Sequence, residues 1–546
     1  MKRSYLQYLI IVILAFVSLS ACSSADDPIS DGDKDTDIDL SDGDLTDGDN
    51  ESALEEEAEE EYDIIDETIK NVLAVERANN VLSCIVYFDT DVKTKAEVLI
   101  EDSNGKSWSA KKDDSYRTTH EIPVFYMYAE TKYTFTVKVT DENGGRGSNS
   151  IEYTSSALPE DLPPIEVVVS NKEKMQAGLT LFNSWRWNPA VDISWGVLIA
   201  VDESGKIVWY YKASRLMFDV KMLSDGNIIY SYQNLGLAEI SIMGEEGDDL
   251  LSDINGLTNF EVGTLHHDFI ELPNGNLLAI SAELRKIEYD DGEGGTVEYN
   301  VIGDIIHEMT RDGSVVKSWN LFDYLDPQRI RYGFEENFWD IVYRKSTKDW
   351  THANGLIYDA SDNSMIISVR HQDWLIKIDM DTDELVWKMG EEGDFTLQGD
   401  GEWMFHMHSP KFTQNGNILL YDNGNARSSY APGDTPYSRV AQFSYDETAK
   451  TVTQEWEYRG EDPYFVPFVG NVDELANGNI LITDGAIIEN PLVDEYELDN
   501  QKHTRIVEIT PGDNPEKVFE IIIKDKSADK TGYLVYRANR LPALSK

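Results

Sequence analysis

Cysteine is nearly absent from this chain: 546 residues hold two, Cys22 and Cys84. No disulfide framework of the kind that staples small secreted domains can be drawn from so few, so the fold must hold by its core. Basic residues are scarce too, 47 Lys and Arg against 101 Asp and Glu, for a formal net charge of −54. Such a chain repels a phosphate backbone rather than neutralising it, which argues against nucleic acid as a partner. A small anion in a locally positive pocket is still allowed. The twelve-residue calcium loop with its closing Glu is missing as well, although spaced Asp residues abound near the N-terminus. What is plentiful is apolar and aromatic material: 41% hydrophobic residues with 12 Trp and 28 Tyr, ample for a large aromatic-rich β structure. The length predicts two or more domains plus tails.

The N-terminal MKRSYLQYLIIVILAFVSLSAC has a basic start, an apolar run and small residues before Cys22, the pattern of a secretion signal rather than a spanning helix. Leu19, Ser20, Ala21 and Cys22 resemble a bacterial lipoprotein cleavage box. The resemblance implies removal of residues 1–21 and a lipid on Cys22; an ordinary signal peptide with an incidental cysteine is the alternative. With Cys22 lipidated, Cys84 stands alone and no internal disulfide is possible. Ser23 after the cysteine favours the outer membrane, facing periplasm or exterior, so the expected location is a lipid anchor in the bacterial cell envelope. Residues 22–63 then collapse to Asp, Glu, Gly and Ser, too polar to offset the entropy of ordering and extended by like charge. They are expected to be an acidic disordered linker.

Residues 64–162 carry short alternating runs, among them VLSCIVYFDT, KAEVLIED and KYTFTVKVTDENGG, separated by turn chemistry. This predicts a small β-sandwich of the fibronectin-III or immunoglobulin type, with Tyr133 as a candidate corner tyrosine. ALPEDLPP marks a linker. Residues 163–546 form a repeat array. One phrase is a polar turn followed by an apolar strand, as in SDGNIIYS, PNGNLLAI, QNGNILLY and ANGNILIT; another is two strands about an acidic turn, ending in an aromatic, as in LIKIDMDTDELVWKM. Together they give about six units by repeat periodicity, starting near Leu179, Phe218, His266, His352, His406 and Gly470. Four short antiparallel strands per unit suit a propeller blade, so the fold class expected is all-β, a six-bladed β-propeller behind the sandwich. Two packed sandwiches are the rival.

Of nine His, five (His266, His267, His352, His406, His408) fall just before the first strand of a unit, the strand nearest a propeller's channel. The same spacing separates His267 from Asn276 and His408 from Asn417; in the central copy, His352 to Ser364, it is longer. Arg370 ends the second strand of its unit and can reach the same mouth. Clustered imidazoles can bind metal, but no carboxylate or thiolate recurs at that position and Arg370 opposes a cation, so an anion site is favoured and no metal is expected.

The stretches HHDFIELPNGN, HANGLIYDASDNSMIISVRHQ, HSPKFTQNGNILLYDNGNAR, SRVAQF and YRANRLPAL resemble the bacterial arylsulfate sulfotransferases, over roughly Leu179 to Leu544. The resemblance implies a six-bladed propeller with an N-terminal β-sandwich that moves a sulfuryl group from a phenolic sulfate to a phenol through a sulfohistidine, with no nucleotide donor and no cofactor. By position it implies His408 as the nucleophile, His267, His352 and Arg370 as holders of the sulfuryl oxygens, and Asn354 as a polar neighbour. The family's nucleophile sits between Gln and Thr; here Met407 and Ser409 flank it and His406 is close, so His406 stays open as the nucleophile and otherwise joins the substrate-binding set. Oligomeric state is carried by no residue.

A sulfate ester reacts through a loose transition state, so the protein must supply a nucleophile and fixed positive donors. Neutral imidazole suits the first and the planar fork of Arg370 the second, on two sulfuryl oxygens, with His267 and His352 donating to the third oxygen and the leaving phenolate. Trp403, Phe405, Tyr430 and Trp374 are candidates to stack the aryl ring, with blade packing as their alternative. Two further functions remain open at this point: a surface propeller that binds an anionic or aromatic ligand without turnover, and a metal-dependent hydrolase using the same histidines.

Overall fold

The computed structural model describes residues 69–110, 112–186, 196–213, 216–232, 236–242, 264–431, 433–461, 463–493, 500–525 and 532–542. The leader, Cys22 and the acidic linker lie outside the described residues.

The first unit is one six-stranded antiparallel sheet folded on itself. Its centre is the 23-residue strand Asn80–Asp102, which the sequence pattern divides in two. The strand runs through because its register breaks between Asp89 and Thr94, so its first half pairs with Ile69–Arg77 and Asp113–Val124 and its second with Lys132–Asp141. Alternate side chains (Val86, Phe88, Val98, Ile100, Phe135, Val137) close a core that also buries Cys84. Tyr133 is buried, and its hydroxyl accepts the backbone N–H of Tyr128 at 2.6 Å, the bond of a corner tyrosine.

The main body holds six sheets among the described residues, and their inner strands begin where the repeats do: Leu179–Arg186, Met217–Met222, His266–Glu271, Ala353–Asp359, His408–Phe412 and Asn471–Glu474. Each sheet runs outward through consecutive antiparallel strands, and the second through fifth inner strands pack against their neighbours in order, a propeller-like array. Two features of the repeat explain this. The glycine of the polar turn takes a left-handed conformation, φ +82° at Gly275 and +78° at Gly416, which allows the tight return to the second strand. The terminal tryptophan latches the next sheet: Trp319 donates to Asp383 (2.8 Å), Trp387 to Glu447 (2.9 Å) and Trp456 to the Gly512 carbonyl (3.1 Å).

Both ends of the body are stitched in. Ile165–Ser170, which precedes the first sheet in sequence, is the outermost strand of the sixth, and Ala538–Leu541, which follows the sixth, pairs with Leu179–Arg186 of the first. The N-terminal sheet docks on the first sheet: Val81 N–H donates to Tyr210 at 3.1 Å, Tyr128 donates to Asp202 at 2.5 Å, and Leu82 and Leu162 enter a core with Phe182 and Ile199. The stretch 283–302, an insertion by the repeat pattern, is an extension of two paired strands, Leu277–Asp290 and Thr296–Met309, beyond the third sheet. After that sheet, residues 328–348 form a segment with a single helical turn, Asp340–Tyr343, that crosses the inner strands as a cap.

Candidate functional site

Four inner strands open with a β-bulge. Extra residues sit between Met217 and Val220, His266 and Phe269, Ala353 and Gly355, and His408 and Lys411. A bulge twists the strand and re-aims the side chain beside it. His267 (φ +54°) within its bulge, and His352 (φ +49°) and His406 (φ +55°) just before theirs, take the left-handed conformation, uncommon for a residue with a Cβ and a recurrent feature of functional sites.

The strands thereby bring the imidazoles together. The His267 and His352 rings are 4.7 Å apart, and Tyr536 lies 6.0 Å from His267 and 6.3 Å from His408. All three histidines and Arg370 are buried. Burial, with the Arg370 guanidinium adding to it, pushes His408 down to about 3. Burial first, then neighbouring imidazoles and Arg370, holds His267 and His352 well below the ordinary histidine range. All three are therefore neutral at pH 7.

Neutral imidazole has one N–H and one lone pair, and its partners decide which nitrogen carries which. Asn423 Nδ2 donates to the carbonyls of Val466 (2.7 Å) and Val469 (2.8 Å), which fixes its amide so that Oδ1 faces His408 Nδ1 at 2.6 Å. Nδ1 of His408 is then the donor, and the lone pair is on Nε2. His352 Nδ1 is 2.6 Å from Asp349 Oδ2. Burial, reinforced by the Asp304 and Glu336 carboxylates, raises Asp349 well above the usual range. When Asp349 carries its proton it donates to Nδ1, and the proton of His352 is then on Nε2. His267 is tied by Nδ1 to His266 Nδ1 at 2.6 Å, and His266 Nε2 lies 3.3 Å from Asp304. The Asn423 amide thus sets His408 Nε2 as the nucleophilic atom.

Arg370 is held by His371. The Arg370 Nη1 donates to His371 Nε2 at 2.5 Å, His371 Nδ1 donates to the Asp349 carbonyl at 2.8 Å, and Arg370 Nη2 donates to the Pro467 carbonyl at 3.1 Å. The fork expected to embrace two oxygens thus has two of its N–H groups committed to protein. Asp349, His352 and His371 also stand close enough to suggest a metal triad. Both His371 nitrogens are engaged, however, and a guanidinium abuts one of them, so the donor set does not suit a cation.

The remaining expectations divide. Asn354 is fully buried with both polar ends engaged, Nδ2 to the Met407 carbonyl (2.9 Å) and Oδ1 to Ser368 (2.5 Å), so it holds the backbone beside His408 rather than facing a substrate. His406 is fixed by Nδ1 to Asp373 at 2.8 Å and lies between His371 (5.6 Å) and Tyr332 (5.1 Å), on the cap side of the cluster. The aromatic assignment needs correction. Trp403 packs on the core between the fourth and fifth sheets, Phe405 is buried under Arg427, Trp374 lies under Arg329 at 3.8 Å, and Tyr430 pairs with Tyr437. Among the described residues their ring contacts lead away from the histidines. The rings against the site are Tyr536 and, from the cap, Phe338 (5.0 Å from His352), Tyr332 and Trp339 (4.9 Å from His266). Tyr536, His371 and Asn423 lay within stretches the sequence singled out, in YRANRLPAL, SVRHQ and YDNGNAR; the cap residues carry no repeat signal.

The sequence pattern of the arylsulfotransferase (ASST) family matches residues 165–534, and that of the arylsulfotransferase Ig-like domain matches residues 74–156. The arylsulfate sulfotransferase AssT of Escherichia coli O6:H1 is 26% identical over 277 residues, 41% of this chain and 45% of that protein; its namesake from Lelliottia amnigena is 24% identical over 249 residues, 36% and 41% respectively. The aligned part spans less than half the length of these curated relatives. A solved auxiliary nutrient binding protein from Bacteroides ovatus covers 87% of this chain and 90% of its own at 10% identity, with a TM-score of 0.31, too slight to argue from. With the family pattern covering the whole repeat body, the chain belongs to the arylsulfotransferase family.

Proposed function

We propose that the protein is an aryl-sulfate sulfotransferase that moves a sulfuryl group from a phenolic sulfate to a phenol by a ping-pong route through a sulfohistidine at His408. The observation that carries the reading is the Asn423 contact, which leaves the lone pair of His408 on Nε2, in a buried cluster where Arg370 and His267 feel its charge. In the first half-reaction Nε2 attacks sulfur, the S–O bond to the aryl group breaks, and the leaving phenolate takes the proton of His352 Nε2 while Asp349 passes its own proton to His352 Nδ1, so that the ring stays neutral and the carboxylate becomes ionised. The sulfuryl oxygens rest on Arg370 and His267. Phenol has a pKa near 10, so the acceptor must lose its proton as it attacks; His352 Nε2 accepts it while Nδ1 returns its proton to Asp349. The S–N bond then breaks and the enzyme is restored. Each donor is worth on the order of 10² to 10³ in rate, as for one oxyanion-hole donor. No cofactor enters this scheme. The donor and acceptor are phenolic; the lipid on Cys22 and a place at the outer membrane belong to the same proposal and rest on the leader sequence.

Incubation with 4-nitrophenyl sulfate and a phenol is expected to release nitrophenol in an acceptor-dependent, chelator-resistant manner. Release only with added metal would instead support hydrolysis, and none at all a binding protein. After donor alone, the intact mass is expected to rise by one sulfuryl group in the wild type and in His406→Ala, and to stay constant in His408→Ala. A rise that persists in His408→Ala and is lost in His406→Ala moves the nucleophile to His406.

A further inference from the structure

The cap carries a carboxylate into the anion site. Glu336 Oε1 lies 3.6 Å from Arg370 Nη1 and 3.7 Å from His371 Nε2. Its position is fixed from both sides: Phe338 packs on His267 and His352, Tyr332 on His406, and Gly333 (φ +93°) passes so close to His371 that a Cβ there would fall 2.6 Å from the ring. The nearby Arg331 is occupied elsewhere, bridging Asp373 at 3.2 Å and Glu391 at 3.0 Å. Sulfuryl transfer as proposed above makes no use of Glu336.

We propose that Glu336 is a specificity-determining residue that tunes the pocket to singly charged esters, admitting aryl sulfates and refusing aryl phosphates. The inference rests on the anion site described above. The charges are few. Arg370 contributes one positive charge, and the imidazoles of His267, His352, His371 and His408 are held neutral by burial. Burial alone would raise Glu336, but the Arg370 guanidinium 3.6 Å away holds it below the usual carboxylate range, so it is ionised. Arg370 and Glu336 cancel. A sulfate monoester adds one negative charge to this pair and a phosphate monoester, above its second pKa of about 6, adds two. Size and shape of the two head groups are nearly the same, so charge is what the pocket has to tell them apart. With like charges roughly 5 Å apart at an effective dielectric constant near 20, Glu336 takes away about 100-fold in binding for each unit of ligand charge, and so withdraws from a dianion the gain that Arg370 alone would give it.

The test uses benzenesulfonate and phenyl phosphate as monoanion and dianion probes, titrated calorimetrically into the full chain at pH 8. The wild type is expected to bind the sulfonate the more tightly, because the second charge of the phosphate costs desolvation and gains nothing from the cancelled pair. Glu336→Gln is expected to tighten both, the phosphate about 100-fold more than the sulfonate, so that the preference collapses; Glu336→Asp, which keeps the charge, should keep the preference. An unchanged ratio in Glu336→Gln overturns the inference, as does binding of neither probe by the wild type. Loss of the preference in Glu336→Asp as well would assign it to cap packing rather than charge and also overturns it. Turnover of 4-nitrophenyl sulfate is read separately: transfer with an unchanged ratio sinks only the selectivity, and a shifted ratio without transfer sinks only the sulfotransferase reading.

Discussion

Asn423→Ala is the most informative single change, because the nucleophile's tautomer depends on that amide. The wild-type side chain makes three buried contacts, at 2.6 Å to His408 Nδ1 and at 2.7 and 2.8 Å to the Val466 and Val469 carbonyls. Truncation leaves the Val469 carbonyl short of a donor, while Ser438 Oγ still donates to the Val466 carbonyl at 3.3 Å, so stability should fall by about 1–3 kcal/mol and be visible in thermal unfolding. For catalysis the loss is of another kind. The hydrogen bond biases the neutral ring by about 1 kcal/mol towards the Nδ1–H form and fixes its angle; without it a fraction of molecules carries the proton on Nε2, where no attack is possible, and the rest are misaimed. Together these should slow formation of the sulfohistidine by about 10- to 100-fold, measured as single-turnover nitrophenol release from 4-nitrophenyl sulfate. The ¹⁵N shifts of His408 give the independent readout: Nδ1–H in the wild type, a mixture in the variant. A folded Asn423→Ala protein that forms the intermediate within three-fold of the wild-type rate, or whose His408 tautomer is unchanged, refutes the reasoning.

Two predictions concern pH. With His408 pushed down to about 3, the first half-reaction should be flat from pH 5 to 8 with a good leaving group, whereas an inflection near 6.5 would mean an unburied nucleophile. Stability should behave oppositely: His371 and His408, at about 3, and His307, at about 4, stay neutral in the fold while the unfolded chain takes up protons below about 6.5. The unfolded state thus binds more protons as pH falls, and each of these residues removes up to about 1.4 kcal/mol per pH unit between 6.5 and its folded value; denaturant titrations at pH 7, 6 and 5 should show a slope approaching at least three protons.

The repeats made much of the architecture legible. The polar turn needs a glycine at positive φ and the terminal tryptophan needs a neighbour to receive its N–H, so both recur in the sequence because every sheet needs them. The convergence of His267, His352 and His408 was legible for the same reason, since one repeat position becomes one place on an inner strand. The aromatic wall was not. Trp403 and Phe405 are near His408 along the chain, but a reversal of direction before the bulge sends them into blade packing, while Phe338 and Tyr332 arrive from a cap without periodicity. Asn354, which the family resemblance placed as a polar neighbour of the site, is spent on the Met407 carbonyl. The strand Asn80–Asp102 defeated segmentation because VKT resembles a turn, yet its threonines satisfy themselves, Thr90 Oγ1 donating to the Val92 carbonyl at 2.7 Å, and the strand continues.

The bulges carry a cost that can be measured. A left-handed conformation costs an L-residue roughly 1–2 kcal/mol relative to its ordinary basins, and glycine escapes that cost. His352 sits at φ +49° because Asp349 holds its ring and the extra residue Asn354 interrupts the ladder just beyond it. His352→Ala removes the ring contacts and keeps the strain; His352→Gly removes the same contacts and relieves it. Both should lose the same two to three decades of transfer rate, since both lack the donor. Only the glycine variant should recover stability, by about 1 kcal/mol over the alanine variant in chemical denaturation. An alanine variant as stable as the glycine one would show that the backbone at the bulge is unstrained, and the histidine's orientation would then have to come from its partners alone.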